Sequence, residues 1–333
     1  MDHWSRRQFV QGLGVASLAL MAGCGRLPGQ AQPPVKVLRI GWLGPSNGPD
    51  LNFEAFRQGL REFGYVEGQN VVIEARWAEG HAERYPALAA ELVGLQPDVI
   101  VTVSTPPTEA AKQATTTIPI VFTSSGDPVG LGLVASLARP GGNITGQSNL
   151  FVALGRKRLE LLKETVPSVA RVAGLWNPTN PANAPEWSAT QEAARTLGVE
   201  ALSVEVRTSG DLAGAWDTIA DERADAVVLL GDPLFSLNNP QFPDFIARTR
   251  LPTMTTARAA VEAGGLMCYG PSLTGMSRRA AYYVDKILKG ASPAELPVEQ
   301  PREFEFIINL KTAQALGLTI PEHVLLQATE VLQ

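Results

Sequence analysis

The chain has 333 residues, a net charge of −5 and 45% hydrophobic content, more than one hydrophobic core usually holds, so two lobes are predicted. Mild acidity without a basic stripe excludes nucleic acid as a partner. With 2 cysteines and 3 histidines in the whole chain, neither a metal centre nor a disulfide framework is predicted.

The N-terminal stretch speaks first. Ser5-Arg6-Arg7-Gln8-Phe9-Val10 is a twin-arginine export signature, and an apolar run over residues 12–22 follows it. That run is about half the roughly 20 residues needed to cross a bilayer, so it reads as a signal core and not as a transmembrane helix. Ala22-Gly23 directly before Cys24 resembles a lipoprotein processing site, so residues 1–24 read as a twin-arginine/lipoprotein signal with Cys24 as the lipidated residue. Cleavage removes Asp2, Arg6 and Arg7 and takes the net charge from −5 to −6. An ordinary signal peptide with an incidental cysteine is the alternative. Both predict export, to the periplasm or the outer face of the cytoplasmic membrane. Nucleotide-fuelled chemistry is not expected there. Residues 25–35 open with GRLPGQAQPP, which lacks periodicity and reads as a flexible tether.

The body then says the same thing twice. Strand patterns at 37–43, 70–75, 98–103 and 118–122 alternate with helical patterns at 53–63, 85–95 and from about 106. In the second half, strands at 172–176, 201–206, 226–230 and 251–254 alternate with helices ending near 197, at 212–222 and at 242–248. Ile118-Pro119-Ile120 and Leu251-Pro252-Thr253 match in residue type at corresponding places. Apolar strands alternating with amphipathic helices predict an α/β protein of two Rossmann-like lobes, each with a parallel sheet and right-handed crossovers.

In open α/β sheets a ligand sits outside the carboxyl ends of the strands, and two facing lobes make a cleft that closes by hinge motion. The loops at those ends share a chemistry. Ser104-Thr105-Pro106-Pro107 offers a hydroxyl cap and a proline at the first helical turn, at the positive end of a helix. Ser124-Ser125-Gly126-Asp127-Pro128 and Gly231-Asp232-Pro233 place a carboxylate at a strand end, and Asn177-Pro178 an amide. Capping and turn formation explain any single one equally well; recurrence at the same topological place in both halves points to binding. A helix N-terminus for a carboxylate and an aspartate for an ammonium suit a zwitterion such as an amino acid. Trp42, Trp176 and Tyr269 lie near the same rim, as stacking partners or as core.

Catalytic motifs tempt and fail. Gly130-Leu131-Gly132-Leu133-Val134-Ala135 fits G-x-G-x-x-A, but residues 123–129 separate it from its strand and no acidic residue stands about 20 further on. Gly44-Pro45-Ser46-Asn47-Gly48 fits the nucleophile elbow, but only His81 and His323 remain as bases after export and the elbow sits on the first strand. Arg156-Lys157-Arg158 before Glu160 reads as surface pairing on a helix, and Asp221, Glu222 and Asp225 as a solvated charge group. Cys268 reads as a small core residue. No catalytic residue, metal ligand or cofactor is predicted.

Ala55-Phe56-Arg57-Gln58-Gly59-Leu60, running into Gly64-Tyr65-Val66-Glu67-Gly68-Gln69-Asn70, resembles the ABC-transporter substrate-binding proteins that include tryptophan- and tyrosine-binding members. So do Gly126-Asp127-Pro128-Val129-Gly130, Ala138-Arg139-Pro140-Gly141-Gly142-Asn143, Lys157-Arg158-Leu159-Glu160-Leu161-Leu162 and Tyr283-Val284-Asp285-Lys286-Ile287-Leu288-Lys289-Gly290. The resemblance covers residues 37–330. It implies a periplasmic-binding-protein type I fold, two lobes joined by a three-strand hinge. The N-terminal lobe would comprise 36–147 plus 268–300, and the C-terminal lobe 148–267 plus 301–333. The first crossover would fall near 145–150 and the return near 266–270. It also implies ligand contacts at Ser104, Thr105, Ser125, Asp127, Asn149, Asn177, Asp232 and Tyr269. Cys268 stands where members carry serine before Tyr-Gly-Pro, a departure in pocket polarity. The function so implied is that of a monomeric, lipid-anchored receptor delivering a small polar solute, an aromatic amino acid in this branch, to an ABC permease. A ligand sensor for a membrane signalling partner and a secreted serine hydrolase using Ser46 are the rival readings.

Overall fold

The computed structural model describes residues 37–235, 248 and 250–333. The signal, Cys24, the tether and all but Arg248 of the helix expected at 242–248 lie outside the described residues.

The first lobe opens with β1 (Leu38–Gly44), whose last five residues are buried. Helix α1 (Leu51–Glu62) begins where the Asp50 carboxylate accepts the Phe53 amide at 2.9 Å, a normal N-cap. It stops at Gly64, which adopts φ 85° so that the Tyr65 amide can reach the Leu60 carbonyl at 3.0 Å, the left-handed termination that glycine favours. Then follow β2 (Val71–Trp77), α2 (Tyr85–Gly94), β3 (Val99–Thr102), α3 (Thr105–Ala114), β4 (Ile120–Ser125) and β5 (Ile144–Ser148). The sheet order is β2-β1-β3-β4-β5, parallel throughout. One face packs on Leu88, Leu92 and Ala111 of α2 and α3; the other carries Ile40, Trp42 and Val101 against Phe53, Phe56 and Leu60.

The second lobe runs α4 (Phe151–Thr165), β6 (Arg171–Trp176), α5 (Asn183–Leu197), β7 (Glu200–Glu205), α6 (Leu212–Asp221), β8 (Ala226–Leu229), β9 (Thr253–Thr255), α7 (Arg258–Glu262) and β10 (Met267–Pro271). Its strands order as β7-β6-β8-β9-β10, the same permutation as the first sheet. The repeat reaches individual hydrogen bonds. Asp98 accepts the Arg39 amide and Asp225 the Arg171 amide, each at 2.8 Å. Pro119 O accepts Ile100 N at 2.8 Å, and Pro252 O accepts Val227 N at 2.9 Å. Asp225 is therefore a backbone clasp between strands, where the sequence pattern reads as a solvated charge group.

After β10 the chain re-enters the first lobe as α8 (Leu273–Leu288), whose Ala280, Ala281, Tyr283 and Val284 complete the face carrying Trp42. The expected return at 266–270 is thus displaced: β10 is the fifth strand of the second sheet, as β5 is of the first, so the crossing comes after Pro271. A third crossing follows Glu299, which pairs with β5 through Ser148 N→Glu299 O and Glu299 N→Gly146 O, at 2.9 and 3.1 Å. The chain ends in the second lobe with β11 (Phe304–Asn309), α9 (Leu310–Ala315), α10 (Glu322–Leu325) and β12 (Glu330–Leu332). β11 runs antiparallel to β10, the one departure from parallel pairing among the described strands. No described helix is long and apolar enough to cross a membrane.

Candidate functional site

The carboxyl ends of both sheets open on one cavity of about 360 Å³ between the lobes. Asp50, Ser104, Thr123, Ser124 and Asn149 line it from the first lobe and the first crossover, and Phe151, Asp232, Phe235 and Thr255 from the second lobe. The size and the mixture of rings with a few polar groups fit a small-molecule site. Its described charged walls are two carboxylates, Asp50 and Asp232, with no lysine or arginine among the described lining residues.

Ser104 is the most unusual of these residues. It precedes α3 with φ 79° and ψ 176°, a region almost reserved for glycine that costs another residue about 1–3 kcal/mol. Its hydroxyl is shielded from solvent yet has no hydrogen-bond partner, and it does not cap its own helix. Behind it, Thr105 Oγ1 bonds Ser125 Oγ at 3.0 Å and accepts the Gly126 amide. Asn149 donates to Ser124 Oγ at 2.9 Å and accepts the Phe151 amide at 3.0 Å, so the first crossover is tied to the cavity wall.

On the opposite wall, Asp232 accepts Asn180 Nδ2 and the Leu234 amide, each at 2.8 Å. Burial pushes its carboxyl up to about 6, against the lowering effect of these bonds and one from Asn177. The adjoining Gly231 has no side chain for a packing reason: a Cβ there would overlap the Phe151 ring. The lobes meet directly as well. A Cβ on Gly126 would lie 2.9 Å from that of Ala182, and burial, reinforced by the charge of Asp232, pushes the Tyr85 phenol of the first lobe up.

Of the eight expected contacts, the structure brings Ser104, Asn149 and Asp232 to the cavity surface. Thr105, Ser125 and Asn177 are buried and outside its lining; Thr105 bonds Ser125, the Ser125 carbonyl accepts the Asn149 amide, and Asn177 bonds Asp232. Asp127 is turned into its own loop, accepting the Gly130 amide at 2.8 Å. Tyr269 stacks on Phe304 at 5.9 Å and packs edge-on to Phe306, away from the cavity. Trp42 is core, and Trp176 stacks on Trp187 while donating to Ser203. Asp50, Phe151 and Phe235 were missed. Asp50 stands before a helical pattern, where a cap accounts for it, and the two rings read as ordinary core. The serine of the elbow-like motif, Ser46, donates its hydroxyl to Asp50, and His81 bonds Glu83 on an exposed loop.

Comparison with known proteins agrees with this architecture. The profile of the family described as ABC transporter substrate binding protein matches residues 46–332. A curated relative named tyrosine-binding protein, from Clostridioides difficile (strain R20291), is 26% identical over 314 residues, 92% of this chain and 90% of its own. A solved ABC domain in complex with L-Trp from Streptococcus pneumoniae is 28% identical, covers 89% of this chain and 99% of its own, and superposes with a TM-score of 0.81. A ligand-free, open substrate-binding protein with adhesive properties from Clostridium difficile is 26% identical with 89% and 99% coverage, yet its TM-score is 0.63. A profile match over most of the chain, two repeated α/β lobes and a polar cavity between them agree: the chain belongs to the ABC transporter substrate-binding protein family.

Proposed function

We propose that the protein is an extracytoplasmic, lipid-anchored receptor that closes on an aromatic amino acid and presents it to an ABC permease. Ser104 carries the reading. A strained residue with a buried, unpartnered hydroxyl, facing an interlobe cavity, is a group held ready for a ligand atom that is polar. The walls say what else the ligand brings. Asp50 and Asp232 face the cavity without a described cationic partner, which suits an ammonium. Phe151 and Phe235 offer apolar surface for a side chain, and aromatic pairs gain from ring contact.

The α3 N-terminus is a suitable cradle for the ligand carboxylate, though Pro106 and Pro107 remove two of its four free amides. Contacts from both lobes add only in the closed form, so binding shifts the hinge equilibrium toward it. The names of the tyrosine-binding relative and of the L-Trp complex support the aromatic choice. The twin-arginine signature and Ala22-Gly23-Cys24 support export and anchoring at Cys24.

Isothermal titration of the purified chain with L-tyrosine, L-tryptophan and the remaining amino acids tests the ligand class. Saturable binding of an aromatic amino acid with one-to-one stoichiometry is expected. Heat from sugars or polyols alone would refute it. Intact-mass analysis of the membrane fraction, with Cys24→Ala as control, tests the anchor; a diacylglycerol-sized increment present only in the parent is expected.

A further inference from the structure

The basic start of α4 contains one charge that belongs inside. Arg156 pairs with Glu160 on the surface at 2.7 Å, as helical spacing predicts. Arg158, two residues on, is 1% exposed and pairs at 2.8 Å with Glu186 of α5, itself 2% exposed. Burial lowers the Arg158 guanidinium and raises the Glu186 carboxyl, each opposed by the partner's charge. Neither side chain lines the cavity.

Their contacts nevertheless run to the second-lobe wall from behind. Arg158 Nη1 donates to the Phe151 carbonyl at 3.2 Å, and its guanidinium lies 4.9 Å from the centre of the Phe151 ring. Arg158 Nε donates at 2.8 Å to the carbonyl of Tyr269 in β10, just ahead of the second crossing. Glu186 accepts the Gly231 amide at 3.2 Å, next to Asp232. Gly231 in turn leaves the space that the Phe151 ring occupies. One buried pair therefore joins an apolar wall residue, the loop bearing the wall carboxylate, and a strand leading to the hinge.

Stability alone is a poor reason for this arrangement. A buried ion pair seldom outperforms apolar residues of similar volume, because both charges lose their hydration. The gain is geometric: the planar fork of arginine reaches three acceptors at once, which a lysine cannot do.

We propose that Arg158 and Glu186 are positioning residues for ligand binding, setting the Phe151 wall and the Gly231–Asp232 loop without touching the ligand. This rests on the interlobe cavity being the ligand site. The test uses the otherwise unaltered chain carrying Arg158→Met with Glu186→Leu, and separately Arg158→Lys, which keeps the charge and loses the fork. Three measurements are made: thermal melting, hydrogen exchange of the unliganded proteins, and titration with L-tyrosine and L-tryptophan. The double variant should melt close to the parent. Exchange should quicken at residues 149–158 and 231–235 while both sheets keep their protection. Affinity for whichever amino acid the parent binds should fall roughly tenfold or more in both variants, by analogy with the losses that follow removal of groups orienting metal ligands. Parent-like exchange at those two segments overturns the proposal, as does uniform acceleration across both sheets. Parent-like affinity in both variants overturns it too. If the parent binds neither amino acid, the ligand reading fails by itself, and the exchange data still decide the positioning role.

Discussion

Ser104 and Asp232 stand on opposite walls of the cavity, and each bears a cost that a ligand would relieve. Ser104→Gly removes both the backbone strain and the orphaned hydroxyl. The unliganded variant should gain about 1 kcal/mol of stability in thermal or urea unfolding, while its affinity in calorimetry falls. Asp232 behaves differently because its cost depends on pH. With a folded carboxyl at about 6 against a usual 3.8, the folded unliganded chain holds a proton in that window that the unfolded chain has released. The contribution of this group to stability is therefore full below the window and falls as pH rises through it. Binding of an ammonium has the opposite sense, since it needs the ionised carboxylate. Affinity should drop as pH is lowered through 6, approaching about tenfold per pH unit below it. Asp232→Asn should weaken binding at pH 7 and flatten that profile; a titration series from pH 5 to 7.5 reads both. These two residues are legible in the sequence, because strand-end loops before proline mark them. Asp50 is not, because capping α1 and facing the cavity demand the same residue type, and only the fold shows that it does both.

Elements account for several residues of the strings that carry the family resemblance. Gly59 lies where α1 crosses α8, and a Cβ there would meet the Arg278 carbonyl at 2.5 Å and the Ala281 Cβ at 2.9 Å. Gly59→Val should wedge the helices apart and cost about 2 kcal/mol or more in chemical unfolding. In Gly64-Tyr65-Val66-Glu67-Gly68-Gln69-Asn70, Asn70 accepts the Val66 amide at 2.7 Å and donates to the Gly64 carbonyl at 2.8 Å, closing the loop into β2. Strand and helix order was legible because period and punctuation alternate so regularly. Charge placement was less so. Three consecutive basic residues at 156–158 give no sign that the third turns inward, since the glutamate that receives it is 28 positions away. Nor does anything local show that β11 runs antiparallel, which follows from its entering the sheet by the third crossing.

At the scale of the molecule, three crossings join the lobes, and closure on a ligand about them is open to a direct test. Gly126 and Ala182 belong to different lobes and approach within side-chain contact. With cysteines at both positions, a disulfide needs Cβ atoms about 3.5–4.5 Å apart, a spacing that slight opening from the present arrangement supplies. Oxidative trapping of this double variant, followed by non-reducing mass spectrometry, should be faster in saturating ligand than without it. Cys268 is buried, with its thiol pushed up to about 12, so it does not compete. An equal rate with and without ligand would count against closure by binding. The two-lobe plan was readable from the internal repeat, but the position of the return was not: nothing local marks β10 as the fifth strand of the second sheet, where it pairs with β9 on one side and β11 on the other.

That internal duplication has one more consequence. Matching β3 to β8 through their shared bonding, Val103 N→Leu43 O and Leu230 N→Leu175 O, sets Ser104 opposite Gly231, Thr105 opposite Asp232 and Pro106 opposite Pro233. The two jaws share one strand order, yet a guest with unlike ends needs unlike groups at equivalent places. At this dipeptide the repeat diverges, two hydroxyls on one side and a glycine with a carboxylate on the other, so equivalent places on the two jaws offer a guest unlike groups.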